Sequence, residues 1–266
     1  LTMLTSLSGF TAAVIYLGGF IYLLRQLIKG SDFNLPLLKI LATIALALHG
    51  LSTTRLLFSA NGLDLSLLKT VAFIAFVINL LAFVSGQKKP LHTMYLVLFP
   101  ISAISLIAAL SIPSTKTAAF LSPYIQGHIL ISILAYSLLA IAALQALLTG
   151  YQNWQLKHKH QNFLMRTFPP LQSMETFLFE LIWAGEIFLS LSLISGFLYY
   201  EDLFDQKLLH KVTLSLIAWS VYAALLWGRH NRGWRGNKAI SWSLVGFIAI
   251  LMGYIGSKIV LEFVLI

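Results

Sequence analysis

From Leu121 to Leu148 the chain reads LSPYIQGHILISILAYSLLAIAALQALL, without one Asp, Glu, Lys or Arg. A helix of about 20 apolar residues is long enough to cross the hydrocarbon core of a bilayer. This stretch exceeds that length, and others like it recur along the chain. Apolar runs bounded by polar, Gly or Pro punctuation predict spans near Met3–Leu24, Pro36–Phe58, Leu65–Val84, Leu91–Ile112, Tyr124–Leu148, Thr176–Tyr200, Leu208–Trp227 and Ala239–Val264. Charged residues make up 10% of the chain, too little polar surface to keep a soluble domain of 266 residues dissolved. The sequence therefore predicts an all-α, polytopic integral membrane bundle of about eight transmembrane helices, one domain over residues 1–266. The first run, starting at Leu1, lacks a basic leader and a small-residue cleavage site, so it is read as a retained span.

The 18 Lys and Arg divide unevenly between the two ends of these spans. Twelve lie in or beside the connections after the first, third, fifth and seventh spans, and six lie on the other side. Because basic residues are retained in the cytoplasm, both termini are expected on the periplasmic face of a bacterial inner membrane. The net charge of +9 is thus a topology signal, and no nucleic-acid partner is expected. Between the fifth and sixth spans, Tyr151–Glu175 alternates basic residues with Trp154, Leu156, Phe163, Leu164 and Met165, as an amphipathic segment on the cytoplasmic leaflet would. There is no cysteine, which excludes disulfides, thiolate ligands and covalent attachment of a c-type heme.

Seven histidines sort by depth. His92, His158, His160 and His230 sit among basic residues at the expected cytoplasmic edge, where solvation or contact with lipid headgroups accounts for them. His128 and His210 open the fifth and seventh spans, both at the expected periplasmic edge. His49 lies roughly 20 Å into the second span, a depth at which ionisable groups face the bundle interior. Small residues share its face, Ala42, Ala45 and Thr53, while Ser132 and Ala135 flank His128. A hydrogen bond to a neighbouring helix would equally explain His49, and interfacial solvation would explain His210.

Zinc would want three or four ligands at local spacing, and neither that nor an HExxH motif is present. Heme iron wants one or two axial imidazoles, an apolar slot and cations for its propionates. Lys211 adjoins His210, Arg55 lies nearly two helical turns past His49, and Tyr124, Tyr199, Tyr200 and Phe204 crowd the same side. This inventory points to a noncovalent, b-type heme. His128 and His210 are the candidate iron ligands, His49 is an alternative, and Lys211 and Arg55 would face the propionates. No catalytic residue is assigned. Glu186, deep in the sixth span, could relay protons or bind substrate. The expectation is a protonated carboxyl bonded to a neighbour's backbone.

Three stretches resemble the cytochrome c assembly family, the CcsA/CcmC-like heme-handling membrane proteins, and a short eight-span branch of it. They are GHILISILAYSLLAIAALQALL, LALHGLSTTRLLFSANGLDLSLLKTVAF and HKVTLSLIAWSVYAALLWGRHNRGWRGNKA, the last with Arg232, Gly233 and Trp234 in its turn. The resemblance implies that His128 matches a periplasmic heme-ligand histidine and His49 a membrane-embedded one. Heme-delivering members also carry a tryptophan-rich loop before the penultimate long helix and a second periplasmic histidine near the end. Here those places read YYEDLFDQKLLHK and SKIVLEFVLI. The expected function is accordingly heme binding in cytochrome assembly, relay or storage, with the lipid bilayer and other assembly proteins as partners. A proton-coupled transporter using Glu186 and His49 is one alternative. A membrane partner protein that has lost heme binding is the other.

Overall fold

A computed structural model describes residues 3–59, 62–87, 91–113, 118–159, 165, 167–199 and 206–256. Eight of its helices are long and apolar enough to cross a membrane. They are α1 (Met3–Lys29), α2 (Leu35–Leu57), α3 (Leu67–Ser85), α4 (Tyr95–Ser111, entered through a 3-10 turn at His92–Met94), α5 (Pro123–Lys157), α6 (Leu171–Tyr199), α7 (Gln206–Arg232) and α8 (Asn237–Leu251, continued by a π-turn at Met252–Gly256). The helical membrane fold is as the apolar runs predict. A two-residue hairpin, β1 (Phe58–Ser59) and β2 (Gly62–Leu63), links α2 to α3.

Chain contacts divide the molecule into two compact units. The first comprises Leu1–Leu121 with Asn162–Thr167, the second Ser122–Gln161 with Phe168–Ile266. In the first, α1 packs on both α2 and α4, and small residues set the closeness of approach. A Cβ at Gly9 would lie 2.6 Å from Ser52 Oγ, and one at Gly19 would lie 2.7 Å from the Phe99 ring. The core there is built from Ala12, Ala13, Tyr16, Leu23, Ala42, Ala45, Phe99 and Leu106. The connections at the α2 C-terminal end are tied together as well. Leu63 exchanges backbone hydrogen bonds of 2.9 and 3.1 Å with Ala119, which precedes α5.

In the second unit α5 and α6 form the main helix pair, and α7 and α8 pack beside them. Ser122 caps α5, its hydroxyl accepting the Ile125 N–H, and Pro123 takes the first helical position, where it has no hydrogen bond to lose. The helix outlasts the apolar run that announces it. Tyr151–Lys157, the first part of the expected surface segment, continues α5, because Gln152 and Gln155 on its inner face are buried. Gln152 Nε2 donates to the Pro169 carbonyl at 2.9 Å. The middle of that segment, including His160 and Phe163, lies outside the described residues.

Candidate functional site

His128 sits in the second turn of α5, half-buried, and α6 sets its orientation. Its Nδ1 lies 2.9 Å from Ser195 Oγ, and the Ser192 backbone carbonyl also hydrogen-bonds the ring. Ser195 Oγ in turn donates to the Ser192 carbonyl at 2.9 Å. Ser132, one turn along α5, donates to the His128 carbonyl and lies 2.7 Å from Ser192 Oγ. Gly196 leaves room for the imidazole, since a Cβ there would come within 3.3 Å of His128 Cε1. The Ser195 hydroxyl gives its proton to the Ser192 carbonyl, so His128 Nδ1 donates to Ser195 Oγ and carries the ring proton. This is the arrangement by which metal-ligating histidines are held in one tautomer. Tyr124 and Tyr199 stack at the same end of the pair, ring centroids 5.2 Å apart.

His210 lies in the second turn of α7, and its side chain is outside the described region. Its level along the bundle follows from the Tyr136–Ser215 hydrogen bond between α5 and α7. His128 precedes Tyr136 by eight residues and His210 precedes Ser215 by five. At about 1.5 Å per residue, the two positions differ by roughly 4–5 Å along the axis. Lys211 follows, partly buried, its carbonyl near Gly253. Tyr200 and Phe204 fall outside the described residues.

His49 belongs to the first unit, is 0% exposed and has both ring nitrogens engaged. Nε2 lies 3.1 Å from the Ala72 carbonyl and Nδ1 3.2 Å from Tyr16 Oη. The carbonyl can only accept, so Nε2 carries the proton and the Tyr16 hydroxyl donates to Nδ1. Tyr16 and Phe76 present ring edges to the imidazole, each at 5.6 Å. His49 thereby joins α1, α2 and α3. Arg55, in the last turn of α2, is exposed at the end of the unit where the hairpin lies.

The partners of these histidines were less visible in the sequence than the histidines themselves. Ser192 and Ser195, three apart in an apolar helix, are a signal once a ligand on the facing helix is suspected. Tyr16 offers a single hydroxyl in an apolar run. Ala72 contributes through its backbone and leaves no trace in the sequence. Among the described residues no group of three or more His, Cys, Asp or Glu could hold a bare metal ion.

Residues 37–265 match the family model for the Cytochrome C assembly protein. The chain belongs to the cytochrome c assembly protein family. It is 31% identical to the inner membrane protein YpjD of Escherichia coli (strain K12), over 84% of this chain and 86% of that one. Protein HemX of Brevibacillus brevis is 22% identical over 59% of this chain and 60% of its own. The cytochrome c biogenesis protein CcsA of Prochlorococcus marinus (strain NATL1A) is 34% identical over 34% of this chain and 29% of its own. No solved structure matches the chain.

Proposed function

We propose that this cytochrome c assembly family member is a multi-pass inner-membrane protein that holds heme noncovalently at the His128 end of its second unit. Family membership supports a role in cytochrome assembly. The observation that carries the heme reading is the His128 ring, locked by Ser192 and Ser195 beside a glycine that makes room for it. In this reading His128 and His210 would hold the heme iron, and Lys211 would meet a propionate. His49 is the weaker candidate, since it could present a nitrogen lone pair only by giving up the Tyr16 hydrogen bond. Arg55 goes with it. The protein serves heme storage, relay or maturation of a cytochrome rather than turnover of a substrate. Both termini face the periplasm, and so does the His128 end.

Ligand identity is read by titrating purified protein with hemin and recording absorption spectra. His128→Ala is expected to abolish tight binding, and His210→Ala to convert a six-coordinate low-spin spectrum to a five-coordinate one. His49→Ala is expected to bind normally if folded. Loss of binding in a folded His49→Ala variant, with His128→Ala intact, would reverse the assignment.

A further inference from the structure

Along one face of α7, Thr213, Ile217, Ser220, Ala224 and Trp227 follow one another at helical spacing and lead toward the Arg–Gly–Trp turn. Up to Ala224 this stripe forms a groove of about 490 Å³, walled on the far side by Trp242 of α8. Ser220 spends its hydroxyl on the Leu216 carbonyl of its own helix at 2.8 Å, and Ile217 is 47% exposed, so the groove offers mainly apolar surface. From Thr213 to Ala224 it runs roughly 16 Å along the helix.

Both walls end in a cation seated on an indole. On α7, Trp227 follows Ala224 by one turn, and the Arg232 guanidinium lies 4.9 Å from its ring centroid. On α8, Lys238 precedes Trp242 by one turn. Its Nζ lies 3.8 Å from the ring centroid of Trp234, which itself packs on Trp242 at 5.2 Å. Arg235 is exposed in the turn between the two helices. Asn153 of α5 bonds Asn237 at 2.8 Å, which brings Lys157, one turn past Asn153, to the same end.

None of these cations forms an ion pair with a described residue. Glu175 of α6, level with the turn, accepts from the Gly236 N–H at 2.9 Å. Glu180 and Glu186 lie deeper in α6. Glu186 is 7% exposed, and neither of its oxygens has a hydrogen-bond partner among the described residues, so the bond to a neighbour's backbone that the sequence suggested is not formed there. The side-chain carboxylates outside the described residues are Glu201, Asp202, Asp205 and Glu262. They attach at the opposite ends of α7 and α8, farther along the helices than so few residues can reach back.

Solvation alone would leave such side chains loose in water. Here indole rings hold two of them at the mouth of an apolar groove, at the aromatic level where lipid headgroups lie. A ligand for this surface is amphiphilic, with a phosphate for the cations and a chain for the groove. A zwitterionic headgroup brings its own ammonium beside the phosphate, so a net anionic one fits better. A second copy seated on the groove in the same membrane orientation would set another basic turn beside this one, which like charge opposes. We propose that the α7–α8 groove and its basic turn form a site for one anionic phospholipid. Arg232, Arg235 and Lys238 meet the headgroup phosphate, and an acyl chain lies along Thr213–Ala224. The proposal does not depend on heme.

Native mass spectrometry of the full chain in detergent, incubated with phosphatidylglycerol or with phosphatidylcholine of the same chains, reads the preference. One phosphatidylglycerol should be retained several-fold more than phosphatidylcholine, and the double variant Arg232→Gln, Lys238→Gln should lose that preference. Equal retention of the two lipids by the wild type, or an unchanged preference in the double variant, would overturn the proposal. A phosphatidylglycerol with a photoreactive diazirine in its acyl chain tests the groove without any variant. In phosphatidylcholine nanodiscs holding a small fraction of this lipid, the adducts should map to Thr213–Ala224 of α7 and to Trp242. Label spread evenly over the outward faces of the helices, or absent from the groove because a second copy covers it, would also overturn the proposal.

Discussion

At His49 one imidazole satisfies hydrogen bonds on two other helices, and each bond lies in the bundle interior where water cannot replace it. Tyr16→Phe keeps the ring packed and removes the donor to Nδ1. The buried acceptor left behind should cost about 1–3 kcal/mol, read as a lower unfolding midpoint in detergent. His128 presents a different case, since α6 supports its ring without enclosing it. Ser195→Ala should weaken heme binding by about 10- to 100-fold, the usual effect of removing a ligand's hydrogen-bond partner, with little change in thermal stability without heme. Hemin titration checks it, and unchanged affinity would show that Ser195 does not orient the ligand. Depth along a span set His49, and His128 together with His210, apart from the other four histidines. It could not tell a satisfied imidazole from a ligand, because that depends on Tyr16 and Ala72, far away in sequence.

Elements carry their own requirements at the ends. Gly62 has φ +109°, and a Cβ there would fall 2.4 Å from the Ala119 carbonyl oxygen, so only glycine fits where the hairpin meets the segment before α5. Next to it Asp64 forms an ion pair with Lys69 and accepts from the Ser66 N–H at 3.0 Å. Burial opposes ionisation of this carboxyl, but the bonds from Lys69 and Ser66 outweigh it and hold Asp64 below the usual carboxylate range. The stabilisation is present above the unfolded-state pKa and disappears as pH falls through the lower folded-state value. Unfolding midpoints measured from neutral to acidic pH should therefore fall more steeply in the wild type than in Asp64→Asn. In the second unit, Trp234 packs so closely on α7 that a Cβ at Gly228 would lie 2.4 Å from its ring, while its backbone N–H bonds the Gly228 carbonyl. Gly228→Ala should destabilise by about 1–3 kcal/mol through overpacking. The sequence showed the Arg–Gly–Trp turn but not the glycine beneath the indole. Helix ends were similarly misjudged where polar residues are buried. Gln152 and Gln155 made the end of α5 look like surface, yet both are buried: Gln152 bonds the Pro169 carbonyl beyond the helix, and Gln155 bonds Tyr151 Oη within it.

For the whole molecule, eight apolar helices and the family assignment were both legible from runs and stretches of sequence, since each is written locally. The division into two units was not, because it depends on which helices pack together. The proposed orientation can be checked in a chain without native cysteine. A membrane-impermeant thiol reagent applied to intact cells should label Phe120→Cys, at a position 84% exposed, and spare Arg235→Cys. The reverse pattern would invert the topology and place the His128 end in the cytoplasm. Function turns on whether heme is bound at all. The most direct measurement is the absorption spectrum of the protein purified in detergent from heme-replete cells. We expect a Soret band near stoichiometric with protein that His128→Ala removes. Wild-type protein that is folded, colourless and indifferent to added hemin would contradict the account.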